Sequence, residues 1–405
     1  MSRHFNKTSL WTVFAVATLL SSACSSDDSS GQPAPAVDRQ PVVFAVHVAD
    51  ATSAMTRTSQ NVIGITELQG PSGGFGVFGC YTGLHKYYDV DAQPDFMYNE
   101  HVTWNGSVWI YSPLKYWPNG EGAVDGNTGD APHYVSFMAY APYSDMNDMS
   151  TGDAGYCISS MSYQHELGNP WITYRLHPDV EHQVDLLCAD PLLNQSKQTT
   201  TTAIPLHFQH ALACAASTLT VKCSDVMKQN LINRIGTDVD KVEVILEAFS
   251  ITYSLTSKGR MVLWNNGIPH WEAIASESAL VTRKIDYAPS NYLLYSYNGT
   301  STLGDTFTDD THGIFYIPIH LANHYQTAAI DLTYKVIRYT KADPTTPIIE
   351  RTKLPTTVLT LSDYTSYEAG RNLEMNFNIH DNTLHLDAAI TDWSNQTVGN
   401  FDAVD

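Results

Sequence analysis

Apolar and polar residues alternate along much of the chain, which is typical of strands that bury one face. The segment PVVFAVHVA at 41–49 places Val42, Phe44, Val46 and Val48 on one side of an extended strand. The same alternation recurs in FSITYSL at 249–255, LEMNFNIH at 373–380 and LHLDAAITDW at 384–393. Further strands are predicted at 75–81, 107–111, 133–141, 183–189, 204–223, 314–320 and 327–339.

One helix is predicted, at 225–235, with Ser224 as its N-cap and Arg234 in its last turn. Many short, half-buried strands with few helices predict an all-β fold of antiparallel β-sandwiches. A polar, Thr-rich stretch at 190–203 predicts a boundary between an N-terminal domain at 41–203 and a C-terminal domain at 204–405.

The first 23 residues have the features of an export signal. Arg3 and Lys7 precede an apolar run of 11 residues, Leu10–Leu20, which is too short to span a bilayer as a helix. Cys24 follows small residues, as in a bacterial lipobox, although Ser21 stands where leucine is usual. An ordinary signal peptide cut near Ala23 is the alternative. Residues 24–40 are polar and Pro-rich, and they predict a flexible tether.

Composition limits the possible partners and chemistry. The 405 residues carry a formal net charge of −20, and such a surface repels phosphate backbones, so no nucleic-acid partner is expected. If Cys24 carries a lipid, five of the six cysteines remain, and this odd number does not predict a disulfide framework. Cys80 and Cys188 lie in apolar runs and are expected to be buried, whereas a bond between Cys214 and Cys223 stays open.

No segment predicts catalysis, and neither a metal nor a cofactor is expected. GPSGG at 70–74 matches G-x-S-x-G, but a strand pattern follows it where a nucleophile elbow needs a helix. His207 and His210 are three apart on a predicted strand, so they point to opposite faces and do not chelate one ion.

Several segments, taken in chain order, resemble the fimbrillin family of Bacteroidales, the subunits of type V pili. After the lipobox they are PVVFAVHVADATSAMTRTS, GGFGVFGCY, YSPLKYWP, VSFMAYAPYS, IPLHFQHALA and HLDAAITDW. The resemblance implies two transthyretin-like β-sandwich domains with Greek-key strands and a structural role rather than enzymatic activity. It also implies export as a lipoprotein, acylated on Cys24 and exposed at the surface of the cell outer membrane.

The resemblance further implies assembly with other fimbrillin subunits after cleavage by an arginine-specific protease. We assign this cleavage to Arg57, in the polar segment SAMTRTSQ, which makes Thr58 the new N-terminus. The strand carrying Val42, Phe44, Val46 and Val48 is then displaced, and a strand from another subunit fills the groove. Arg39 is the rival site, but a proline follows two residues later, and a cut there leaves the strand attached.

Two alternatives stay open. After residue 393 only the polar SNQTVGNFDAVD remains, so either LHLDAAITDW detaches as a donor strand or this subunit accepts a strand and gives none. The second alternative concerns the function: the chain is a non-polymerising surface lipoprotein or a fimbrial tip adhesin, and it binds a glycan or protein on a host or bacterial surface.

Overall fold

The structure is a computed structural model of the chain. It describes residues 40–49, 62–118, 132–146, 157–200, 202–235, 238–265, 268–275, 278–287, 291–319, 321, 325–361, 363, 368–392 and 397–402.

Strands dominate the described residues. In the first half of the chain they are β1 (Phe44–Val48), β2 (Phe75–Gly83), β3 (Met97–Trp104), β4 (Trp109–Ile110), β5 (Tyr134–Ala141), β6 (Cys157–Met161), β7 (Trp171–Arg175), β8 (Leu187–Ala189), β9 (Leu192–Gln195) and β10 (Ile204–His210). The next group is β11 (Ala213–Cys223), β12 (Val239–Thr256), β13 (Lys258–Asn265), β14 (Ile268–Glu272), β15 (Leu280–Asp286), β16 (Tyr292–Tyr297), β17 (Thr302–Leu303) and β18 (Phe307–Asp309). The last are β19 (Ile314–Tyr316), β20 (Thr327–Thr340), β21 (Ile348–Lys353), β22 (Thr357–Thr360), β23 (Arg371–His380), β24 (Thr383–Asp392) and β25 (Thr397–Asp402). The all-β prediction is confirmed.

The described strands form four sheets. The first has the order β1-β10-β8-β5-β2-β3-β4, with β9 also paired to β5. The second has the order β18-β11-β23-β24-β25, with β19 paired to β11. The third runs β17-β16-β12-β20-β21, with β15 on β12 and β22 on β20, and the fourth runs β14-β13-β7-β6. Strand β1 lies at one end of the first sheet and runs parallel to β10.

Two short helices accompany the sheets in the described residues: α1 (Ile65–Leu68) and α2 (Asp225–Arg234). The predicted cap of α2 is confirmed, because the Ser224 side chain accepts a hydrogen bond from the Met227 amide. None of the described helices combines the length and apolar character that a bilayer span requires.

Buried apolar residues gather in three clusters. One draws only on residues between 42 and 208, and it lies under the first sheet. Another is built mainly from strands after residue 212. The third combines residues from both parts, such as Tyr140 and Tyr174 with Met261 and Trp271. The domain boundary at residue 203 and the transthyretin-like topology therefore stay predictions, and β10, placed after that boundary, pairs with β8 and β1.

Candidate functional site: the groove under the first strand

The predicted displaced strand lies in the described part of the chain, and the modification sites do not. Val42 directly precedes β1, whereas Phe44, Val46 and Val48 lie within it. Cys24, Arg57 and Thr58 lie outside the described residues. The site can therefore be built from β1 and from the surfaces that receive it.

Strand β1 is held along one edge by β10. The two run parallel, in a register that pairs Phe44 with Ile204 and Val48 with Phe208. The Ile204 amide donates to the Val43 carbonyl at 2.8 Å, and the Ala49 amide donates to the Phe208 carbonyl at 3.0 Å. Parallel pairing is slightly less stable per residue than antiparallel pairing. Strand β1 is thus hydrogen-bonded to β10 in a regular register, but through the parallel type of ladder, which is the less stable of the two.

One face of the strand is buried, as its sequence pattern predicted. Val42 is fully buried and Phe44 is only 5% exposed. Val46 and Val48 are half-buried and pack on the same cluster, whereas Val43 is 39% exposed. Burial of one such side chain stabilises by about 1.5–3 kcal/mol. Removing the strand would therefore uncover an apolar groove with two deep anchor positions.

Phe44 occupies a pocket walled by aromatic rings. Its ring centroid lies 6.2 Å from that of Phe75 and 5.8 Å from that of Phe137, both edge to face. The Tyr111 ring lies 5.8 Å away at a tilt of 54°. Such aromatic pairs contribute about 0.5–1.5 kcal/mol beyond area burial. The pocket therefore prefers a ring to an aliphatic side chain of similar size.

A second element holds the beginning of the strand, and we call it the clasp: Tyr111 together with residues 115–117. The Val42 amide donates to the Lys115 carbonyl at 2.9 Å, and the Trp117 amide donates to the Gln40 carbonyl at 3.0 Å. The Tyr111 hydroxyl donates to the Val42 carbonyl at 2.8 Å. Burial raises the pKa of Tyr111 to about 12, which keeps this hydroxyl protonated and able to donate at neutral pH.

A buried carboxyl group ties the far side of the predicted cut to β10. Asp185 Oδ2 lies 2.6 Å from His210 Nδ1 and accepts the Ile63 amide at 3.3 Å. Its Oδ1 accepts the Leu186 amide at 2.8 Å. Ile63 follows the segment that contains Arg57, and His210 ends β10. The chain beyond the cut is thus bonded to the strand that receives β1.

The two histidines of β10 lie as predicted. His207 is exposed and His210 is buried, because successive side chains of a strand alternate between its faces. The His207 ring stacks on His47 of β1 at a centroid distance of 4.9 Å, whereas His210 contacts Asp185. The pair therefore does not chelate one ion.

The other candidate motifs have structural surroundings. Strand β2 begins at Phe75, immediately after GPSGG, so the strand-to-helix turn of a nucleophile elbow is not formed there. His177 and His182 lie with ring centroids 5.0 Å apart. Across the described ranges, no three His, Cys, Asp or Glu side chains are grouped to hold a metal ion.

The open question of a bond between Cys214 and Cys223 is settled against it. Both lie on β11, nine residues apart, so they are separated by roughly 25–30 Å, whereas disulfide-bonded cysteines have Cα atoms within about 7 Å. Cys80 and Cys188 are buried, as predicted. Burial raises the pKa of the Cys80 thiol to about 12, so this thiol stays protonated at neutral pH.

Sequence reasoning missed the clasp and the Asp185–His210 pair. Within YSPLKYWP, Trp117 is 3% exposed, and its ring centroid lies 6.0 Å from that of Phe137. What the pattern did not indicate is that this loop bonds to Gln40 and Val42. A polar residue in an apolar run, such as Asp185 before LLCA, was the available signal for the buried pair.

The fold and the groove define an all-β protein with an edge strand seated in an apolar groove, an arrangement suited to strand addition. No family model matches the chain. It is 24% identical over 303 residues to a protein named fimbrium subunit Fim1C from Phocaeicola vulgatus (strain ATCC 8482). The aligned region covers 70% of this chain and 71% of the relative.

A crystal structure of a fimbrial protein from Bacteroides vulgatus ATCC 8482 is similar over 88% of this chain and 100% of that protein, with a TM-score of 0.61 and 19% identity. That similarity concerns the fold. With the sequence relative, it confirms the resemblance to Bacteroidales fimbrial proteins, and the chain is a homologue of a fimbrium subunit.

Proposed function

We propose that this chain is a structural subunit of a cell-surface fimbria that supports adhesion. In this proposal it is exported as a lipoprotein, activated by arginine-specific cleavage and assembled by donor-strand exchange. The observation that carries the proposal is the seating of β1, which is an edge strand, bonded in parallel to β10, with its apolar face in the core. The relationship to a fimbrium subunit supports the same role.

Loss of β1 leaves two complementary features in one place. The edge of β10 loses the partner of its ladder, and an unpaired strand edge is a template for another strand. The positions of Val42 and Phe44 become open apolar pockets. A strand from another subunit supplies both main-chain hydrogen bonds and alternating apolar side chains, which is the chemistry of strand addition.

Cleavage after Arg57 fits the two ends that the structure describes. It separates β1, whose ladder ends at Ala49, from Ile63, which Asp185 bonds to the body. The amino-terminal fragment then carries away both β1 and the lipid on Cys24. Until that cut, the lipid holds the subunit at the outer membrane, and two acyl chains suffice for stable anchoring.

The described carboxyl-terminal strands favour a subunit that accepts a strand. β24, which contains most of LHLDAAITDW, pairs with β23 on one side and with β25 on the other. Its Leu386 and Ala388 are buried in the largest cluster. Detaching β24 would break two ladders and open that core, which is a large cost for a donor strand.

The decisive experiment sequences the amino terminus of the surface-exposed mature protein and tests polymerisation of Arg57→Ala, with Arg39→Ala as the matched control. We expect the wild type and Arg39→Ala to begin at Thr58 and to form SDS-resistant ladders, and Arg57→Ala to keep its amino-terminal strand and stay monomeric. Polymerisation of Arg57→Ala would remove the assignment of that site.

A cleaved protein that stays monomeric and is retained on a glycan array would instead favour the adhesin alternative. A separate variant tests the lipid in protein that keeps its amino terminus. In the Arg57→Ala background, Cys24→Ala should lose incorporated palmitate and leave the outer-membrane fraction, and an unchanged fractionation would contradict the anchor.

A further inference from the structure

We propose that the groove selects its incoming strand through an aromatic residue at the position of Phe44, and that the donor is a different subunit rather than a second copy of this chain. The inference rests on the proposed strand exchange and adds the identity of the partner strand. Its evidence is the shape of the Phe44 pocket and the composition of this chain's own late strands.

The positions along β1 differ in how strictly their surroundings define the side chain. Val46 and Val48 are only half-buried, so residues of other sizes can extend toward solvent there. Phe44 is almost completely buried, and three aromatic rings contact it. Close-packed interiors tolerate changes of volume poorly. Selection is therefore concentrated at one position.

The chemistry of the pocket narrows the choice further. Phe75 and Phe137 present their rings at 84° and 83° to the Phe44 ring, an arrangement that only another ring completes. The hydroxyl of Tyr111, the polar group of this wall, is bonded to the Val42 carbonyl and the Lys115 amide. A polar or charged residue at this position would be buried without a partner supplied by these walls.

Among the described late strands, β23 to β25, none combines a ring with flanking aliphatic residues on a strand that is free to leave its sheet. Along β24, Leu384, Leu386, Ala388 and Ile390 alternate, with no ring among them. In the sequence of β25, Phe401 alternates with Gly399 and Thr397, so aliphatic anchors are missing. β23 carries Phe377 but lies between β11 and β24 inside its sheet. A second copy of this chain is thus a poor donor, and a subunit with a ring flanked by aliphatic residues is a good one.

The test uses the full chain with residues 54–60 replaced by the recognition sequence of a site-specific protease, so that cleavage does not depend on Arg57. After cleavage, displacement of a fluorescently labelled amino-terminal fragment is measured by size exclusion against added peptides. The peptides are QPVVFAVHVA (residues 40–49), its Phe44→Leu and Phe44→Ala variants, its Val43→Ala variant as the matched control on the exposed face, and TLHLDAAITDW (residues 383–393), which contains the whole candidate donor segment.

We expect Phe44→Leu to displace about tenfold more weakly and Phe44→Ala about a hundredfold more weakly, with Val43→Ala unchanged and TLHLDAAITDW inactive. Equal displacement by all the Phe44 variants would overturn the aromatic selection while leaving strand exchange intact. Displacement by TLHLDAAITDW as strong as by QPVVFAVHVA would overturn the assignment to a different subunit. If QPVVFAVHVA itself displaces nothing, strand exchange fails, and the selection fails with it.

Discussion

Asp185 offers the sharpest test of how the receiving strand is held. Its carboxyl group is fully buried and has three described partners: the imidazole of His210 and the amides of Ile63 and Leu186. Asp185→Asn keeps the size of the side chain and replaces one oxygen with an NH₂ group. If the new NH₂ group takes the place of Oδ2, it disturbs the hydrogen bonds to His210 and to the Ile63 amide. If the amide is rotated by 180°, the NH₂ group instead faces the Leu186 amide and that hydrogen bond is lost.

The expected loss in the free energy of unfolding is large for a single isosteric substitution. Removing one partner of a buried ionisable pair costs about 3–5 kcal/mol, and an unsatisfied buried hydrogen-bonding group costs about 1–3 kcal/mol. We therefore expect the free energy of unfolding to fall by about 3 kcal/mol. With a urea m-value of about 3 kcal/mol/M, the midpoint moves down by about 1 M.

Urea unfolding followed by circular dichroism measures this directly, with Asp190→Asn as the control. Asp190 is exposed and lies beside the same strand, where its backbone amide, rather than its side chain, donates to the His207 carbonyl at 2.9 Å. The control should stay within about 0.5 kcal/mol of the wild type. The double variant Asp185→Leu with His210→Leu should lose less than the sum of its single variants, since it removes both polar partners.

Two results would refute the reasoning. The first is a midpoint for Asp185→Asn that equals that of Asp190→Asn, because the buried pair would then contribute nothing measurable. The second is additive loss in the Leu variants, since additivity would mean that Asp185 and His210 do not interact.

Tyr111→Phe removes the hydrogen bond that the clasp hydroxyl donates to the Val42 carbonyl of the fragment, worth about 1 kcal/mol, so the cut amino-terminal fragment should dissociate about fivefold faster. Equal release from Tyr111→Phe and from Tyr116→Phe, whose side chain is 40% exposed, would contradict this. Burial raises the pKa of Glu374 above its ordinary 4.5, so ionisation costs the folded state more than the unfolded state, and Glu374→Gln should be stabilising at pH 7. That gain should vanish as the pH falls below 4.5, and urea midpoints showing a larger gain at pH 4 than at pH 7 would count against it. Ser224→Ala should lower the free energy of unfolding by about 1 kcal/mol, because the N-cap hydrogen bond of α2 is lost. Ser224→Asp should retain that hydrogen bond. Equal urea midpoints for the two variants would show that the cap does not contribute to stability.

Local pattern was enough to predict the strands that bury one face and the helix α2. The alternation in PVVFAVHVA and LEMNFNIH corresponds to β1 and β23, whose buried positions include Phe44 and Phe377. The capping residue Ser224 and the last-turn Arg234 bound α2 within one residue of the prediction. These features depend on neighbours a few residues apart, and a single sequence contains that information.

The groove depends on contacts that are distant in sequence, and the pattern is silent about them. β1 finds β10 some 160 residues later, as the pairing of Phe44 with Ile204 illustrates. Gly76 is another case, because a Cβ there would lie 2.5 Å from the Tyr140 ring of the neighbouring strand. Glycine at position 76 of GGFGVFGCY is thus required by Tyr140, a residue that lies outside this segment.

Strand β1 is held unevenly, and we infer that this decides where replacement begins. Residues 40–42 bond to the clasp, whereas from Phe44 to Val48 the ladder partner among the described strands is β10. Arg57 follows Val48 in the chain, so the proposed cut after Arg57 would free the singly held end. An incoming strand that starts there exchanges one ladder bond for another, so β1 does not have to dissociate first. It reaches the Phe44 pocket before the clasp. An incoming strand without a ring at that position loses the aromatic contacts of the Phe44 pocket while the clasp still holds the remainder of β1. We therefore expect β1 to re-bind and to displace such a strand.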